Sequence, residues 1–222
     1  MKKLIIAAHP DDEILGCGAT INKYSSIHDF YVLILTDGSK TRYDKSMEDK
    51  LKANALSANE IIGTKKVFFE NFPNQELDTI PILQIIQVIE SYIEKIKPDT
   101  IFTHHMGDLN KDHRIVYEAT LTAARPLFES IIKKVYSYFV HSSTEWNNLS
   151  GEHVFLPNIY IDISCSIDKK IEAMKEYPSE CRHYPHPRSP KSLKVHANYW
   201  GLTVGMEYAE PFILTRSVSG EI

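Results

Sequence analysis

Lys3-Leu4-Ile5-Ile6-Ala7-Ala8-His9-Pro10-Asp11-Asp12-Glu13 is the stretch that decides how this chain folds. Residues 3–8 run apolar almost without interruption, which suits a strand buried on both faces of a parallel sheet rather than one with a wet side. The run stops abruptly at an imidazole, a proline and three carboxylates. Five apolar residues are too few for the core of a secretory signal, and the acids that follow have no place in one. Carboxylates gathered after a strand mark the start of a helix, where capping and the helix dipole favour them.

Working outward, the same alternation recurs. Residues 31–35, 67–69 and 100–103 read as three more buried strands. Residues 12–25, 46–62 and 80–97 place apolar side chains at helical spacing, as in Ile82, Ile85, Ile86, Ile89 and Ile93. Strand, helix, strand, helix predicts an α/β fold: a doubly wound, mostly parallel, Rossmann-like sheet with helices on both faces. Beyond residue 113 the pattern predicts a helix to about Phe128, strands near 134–140 and 159–163 and a helix near 167–176. A Pro/His-rich loop at 177–188, a helix over 189–204 and a strand at 212–214 follow. No repeat or long linker divides the chain, so residues 1–222 are read as a single domain.

The formal charge of -4 leaves no basic excess for a phosphate backbone, and no Lys/Arg stripe interleaves with aromatics, so nucleic acid is not an expected partner. No apolar run approaches the ~20 residues of a membrane span. Three cysteines, Cys17, Cys165 and Cys181, are odd in number and lack a C-x-x-C pair, which fits a reducing cytoplasm and argues against a thiolate metal site. Any metal must be held by His and carboxylates. The expected partner is a small molecule, and the sequence carries no feature that decides between a monomer and a homo-oligomer.

Ligands of open parallel sheets sit beyond the carboxyl ends of the strands. There the sequence places His9 to Glu13, Asp37-Gly38 and His104-His105-Met106-Gly107-Asp108. A catalytic zinc takes three protein ligands and leaves one position open. His9 and Asp12 can supply two from one turn, and Asp108-Leu109-Asn110-Lys111-Asp112-His113-Arg114 can supply the third, His113. Helix-start acids alone would explain one or two carboxylates but not the His-Pro ahead of them. Gly16-Cys17-Gly18 invites a dinucleotide reading, but the last glycine of that fingerprint is missing and three carboxylates would repel a pyrophosphate. These glycines instead let the first helix approach the sheet. Glu13 is expected to support its neighbours, His104 to be packed or capping, and Tyr160, Trp200 and Tyr208 to serve as packing.

Taken together, His9-Pro10-Asp11-Asp12-Glu13 and Asp112-His113 resemble the PIG-L/LmbE family of zinc-dependent N-deacetylases. The likeness extends to Thr36-Asp37-Gly38, Ser142-Ser143-Thr144-Glu145-Trp146, His186-Pro187-Arg188-Ser189 and Tyr208-Ala209-Glu210-Pro211-Phe212. The resemblance implies that His9, Asp12 and His113 bind Zn2+ and that Asp11 is the general base. Members often carry a histidine three positions before the third ligand, where this chain has Asn110. The oxyanion role then falls to His105, His186 or Asn110 itself. Asp37, Arg42 and Arg188 are the expected substrate contacts, Arg42 standing in for an Arg that often opens the second helix, where Lys50 and Lys52 lie here. The function implied is removal of an acetyl group from an N-acetylated sugar or sugar conjugate. A metal-dependent phosphoesterase and a non-catalytic zinc- and sugar-binding protein are the alternatives.

Overall fold

In the computed structural model, which describes residues 1–36, 45–127, 130–147 and 150–219, the first strand, β1 (Lys2–Ala7), lies inside the sheet. Its side chains alternate between two cores. Ile5 and Ala7 enter one cluster with Val32 and Ile34, while Leu4 and Ile6 enter the other with Leu33 and Leu35. Both faces are therefore dry, which is why the strand reads as a continuous apolar run.

The chain continues through α1 (Asp12–Tyr24), β2 (Asp29–Thr36), α2 (Lys45–Ile62), β3 (Lys66–Phe72), α3 (Ile82–Ile96), β4 (Thr100–Thr103), α4 (Lys111–Ala123) and β5 (Lys134–Tyr138). It ends with β6 (Ile159–Asp162), α5 (Ile167–Lys175), α6 (Pro190–Leu202) and β7 (Ala209–Ser217). The seven strands form one sheet in the order β3-β2-β1-β4-β5-β7-β6. The first five are parallel, and β7 runs antiparallel to both β5 and β6. Residues of α1, α2, α5 and α6 pack on one face and residues of α3 and α4 on the other. The doubly wound, mostly parallel expectation holds. Among the described residues, no helix is long and apolar enough to cross a membrane.

Gly16 is where α1 meets the sheet. A Cβ there would fall 2.3 Å from Cδ2 of Tyr138, so only a glycine lets the helix lie this close. Two elements differ most from their sequence reading. The helix expected to reach about Phe128 ends at Ala123, because Pro126 lacks an N–H and disfavours helical geometry in the residue before it; Phe128 itself lies outside the described residues. The last strand is longer than 212–214 and includes Pro211, which is tolerated opposite Tyr160.

This order places β1 next to both β2 and β4, so connections leave the carboxyl ends of β1 and β4 in opposite directions. The crevice opened by that divergence is where such folds bind ligands.

Candidate active site

The turn after β1 is built around a strained residue. Asp11 has φ 103° and ψ -27°, a left-handed conformation that a non-glycine residue adopts at a cost of about 1–3 kcal/mol. Its backbone N–H donates to Glu13 Oε2 at 3.1 Å. Glu13 is itself fully buried and receives Asn59 Nδ2 at 2.8 Å and the Tyr177 hydroxyl at 2.7 Å. Burial outweighs these donors and pushes the Glu13 carboxyl up to about 7. Glu13 thus supports the turn and is not one of the groups that converge at its mouth.

Those groups are His9, Asp12 and His113, one ligand atom from each lying within 4.8 Å of the others. Asp12 Oδ2 accepts the His9 backbone N–H at 2.8 Å and stands 3.3 Å from both His9 Nδ1 and His113 Nε2. The two ring nitrogens are 3.2 Å apart. Behind each imidazole stands a carboxylate. Asp112 Oδ2 is 3.0 Å from His9 Nε2, and Asp108 Oδ1 is 3.1 Å from His113 Nδ1. Carboxylates in that position fix the tautomer and ring orientation of metal-binding histidines.

The electrostatics call for a positive charge at the centre. Burial alone would lower His113, but Asp12 and Asp108 lift it to about 10; His9 is raised against burial by Asp112 and Asp12. Asp12 is held well below the usual carboxylate range because His113 and His104 outweigh its burial. Two nitrogens and one carboxylate oxygen, acid-backed and nearly closed to solvent, fit a divalent cation that accepts mixed His and Asp ligation.

His104 is a packing partner. It accepts the Ala8 N–H at 2.9 Å, stacks on His113 with ring centroids 3.9 Å apart, and is held neutral by burial. Asp11 is raised well above its ordinary value by burial, with Arg188 pulling in the opposite direction from 2.8 Å.

A cavity of about 480 Å³ opens over this cluster, lined by His9, Asp11, Asn110, His113, His186 and Arg188 among others. Of the three residues considered for the oxyanion role, His186 and Asn110 are on this lining and His105 is not. Its Nε2 lies 3.1 Å from the His153 carbonyl oxygen and its ring packs edge-on to Phe155. Asn110 lines the cavity as the N-cap of α4, its side-chain oxygen accepting Asp112 N–H at 2.9 Å. Asp37 and Arg42 lie outside the described residues. Asp108, Asp112 and Glu180 were not anticipated. Two acids just ahead of His113 in the chain were the available signal for the first two; Glu180 lines the cavity and pairs with Arg188 at 2.8 Å.

The profile of the family described as PIG-L, GlcNAc-PI de-N-acetylase, matches residues 4–124, a span holding both motifs. The chain is 28% identical over 233 residues to the diacetylchitobiose deacetylase of Thermococcus kodakarensis, covering 94% of this chain and 81% of that protein. Among solved structures, the N,N'-diacetylchitobiose deacetylase of Pyrococcus horikoshii superposes with a TM-score of 0.77 at 20% identity, covering 97% of this chain and 84% of that one. GalB, the 4-carboxy-2-hydroxymuconate hydratase of Pseudomonas putida KT2440, superposes with a TM-score of 0.78 at 18% identity, covering 100% and 99%. One fold thus carries different reactions, and the superpositions speak to architecture alone. Because the sequence profile spans more than half of the chain and includes both halves of the site, the protein belongs to the PIG-L family of de-N-acetylases.

Proposed function

We propose that this protein is a zinc-dependent amide hydrolase that removes the acetyl group from an N-acetylated sugar or sugar conjugate. The observation that carries the reading is the convergence of His9 Nδ1, Asp12 Oδ2 and His113 Nε2 beside the buried carboxyl of Asp11. Family membership and a relative named for an acetylated disaccharide support the substrate class. A zinc ion held by His9, Asp12 and His113 supplies Lewis acidity, lowering the pKa of water and polarising an amide carbonyl.

Asp11 is the base. Its Oδ2 is engaged by Arg188 Nη1, which leaves Oδ1 to accept a proton from water and pass it to the departing amine nitrogen, so that water and amide become acetate and amine. His186 Nδ1 accepts the Arg188 backbone N–H at 3.2 Å, so the neutral ring carries its proton on Nε2 and serves as a hydrogen-bond donor to the developing oxyanion. Asn110, occupied in capping α4, keeps its NH₂ as a second donor. Arg188 holds Asp11 and stands at the substrate side of the cavity; Asp37 and Arg42 remain substrate contacts in this proposal. Three free cysteines fit a cytoplasmic location.

The test is acetate release by the zinc-loaded protein from free, nucleotide-linked and lipid-linked N-acetyl sugars. Release from at least one class is expected. No acetate from any class, together with hydrolysis of a phosphate ester, would transfer the site to the phosphoesterase reading.

A further inference from the structure

We propose that Trp146 is a stacking platform for a pyranose ring of the substrate, which makes the cavity selective for cyclic sugars over acyclic N-acetyl amines. The proposal rests on the deacetylase reading for its substrate and on three observations for its geometry.

First, Trp146 lies on the cavity wall and is 53% exposed, whereas the only other tryptophan, Trp200, packs among Phe139, Phe155 and Tyr160 and is absent from that wall. An aromatic side chain half open on the wall of a cavity over a buried polar cluster offers a ligand an apolar surface.

Second, the segment carrying it is pinned from several sides. Glu145 accepts the backbone N–H groups of Ser142 at 2.6 Å and Ser143 at 3.2 Å. Thr144 Oγ1 donates to Asp108 Oδ2 at 2.6 Å, and the Ser143 hydroxyl donates to the same carboxylate. Asp108 also backs His113, so one carboxylate fixes both the indole-bearing turn and the candidate metal ligand. His186 meets the indole edge-on, ring centroids 5.7 Å apart. A platform ordered before substrate arrives does not spend binding energy on becoming ordered.

Third, much of the remaining wall is hydrogen-bonding, and two of its basic side chains already have acidic partners within the protein. Arg188 is shared between Asp11 and Glu180, Lys111 is paired with Asp78 at 2.7 Å, and Asn74 and Gln75 present amides. A ligand with one apolar C–H face and a rim of uncharged hydroxyls matches that combination, and a pyranose has both.

Two readouts decide the matter. Glucosamine, a product-like amine that is not hydrolysed, should perturb tryptophan fluorescence of the zinc-loaded enzyme, and ethanolamine, which lacks a ring, should not. The signal should persist in Trp200→Phe and vanish in Trp146→Phe. In turnover, Trp146→Ala should raise KM for N-acetylglucosamine about tenfold with zinc content and thermal midpoint unchanged, the size expected for one lost stacking contact. Trp146→Phe should recover most of that loss. A glucosamine response that survives in Trp146→Phe, or no response in any protein, overturns the platform. Equal losses on N-acetylglucosamine and N-acetylethanolamine overturn it too, since they mark a structural role. Absence of acetate release from every N-acetyl sugar defeats the deacetylase reading, and the fluorescence titration still decides the platform on its own.

Discussion

Arg188 Nη1 lies 2.8 Å from Asp11 Oδ2, placing a guanidinium across 177 residues of chain against a carboxyl that burial holds well above its ordinary range. The base of the proposed reaction is therefore poised between two opposing influences, burial against it and Arg188 for it. Replacing Arg188 by Met removes the favourable one. The rising limb of kcat/KM against pH, which belongs to Asp11 and the water beside it as a pair, should move to higher pH. On the acid side this costs about tenfold in rate for each pH unit of displacement. Arg188→Lys should sit between the two, and a limb that stays in place in Arg188→Met would separate this contact from the ionisation of Asp11.

Asp11→Asn should keep one zinc per chain while kcat falls by about 10²–10⁴, because the amide is nearly isosteric with the carboxylate but has no useful basicity. Metal analysis and turnover on the same preparation check both halves. Near-wild-type acetate release from a zinc-replete Asp11→Asn protein would falsify the assigned role.

Truncating any of His9, Asp12 or His113 to Ala should lower zinc occupancy, and dialysis against a chelator should abolish activity in a way that added zinc restores. Asp108→Asn leaves all three donors in place yet loosens the His113 ring that Asp108 faces at 3.1 Å. Its zinc affinity should fall about 10–100-fold, measured by competition with a metal indicator.

His141 sets an expected pH dependence of stability away from the cluster. Burial, together with Lys170, His196 and Arg188, holds its imidazole well below the ordinary value of 6.5. The unfolded chain binds a proton there below about pH 6.5 while the folded chain refuses it. The contribution is thus complete above that pH and is lost as pH falls toward the depressed folded value. His141→Phe removes the proton uptake and keeps a ring against Phe139 and His196. Urea unfolding of the two proteins at pH 7, 6 and 5 should give a shallower decline in the variant; parallel declines would exclude His141 as a source.

Gly16→Ala should destabilise the fold by about 1–3 kcal/mol through overpacking, since its Cβ would meet the Tyr138 ring at 2.3 Å. Gly18→Ala is the control: its nearest neighbour would be Ile14 Cγ2 at 3.3 Å, and alanine favours the helix by about 0.5–1 kcal/mol. Thermal midpoints of the pair should therefore move apart, with Gly16→Ala the lower.

The sequence by itself determined the sheet and the cluster at its edge. Leu4 to Ala8 had to be buried on both faces because no position in the run alternates with a polar one, and the abrupt change at His9 located the mouth of the crevice. His9 and Asp12 were legible because one turn carries both, and His113 because its own acidic neighbour and the preceding strand set it on the same side. Tertiary structure alone decided which polar residues meet these three. His105 and His186 were equal candidates in the sequence, but the loop carrying His153 takes the first away and the loop after α5 brings the second to the cavity. Arg188, Glu180 and Trp146 reach the site over long spans of chain through loops whose paths local periodicity does not encode. The physical reason is that apolar patterning specifies what must leave water. Which charged side chains then face one another depends on where separate loops end once that burial is complete.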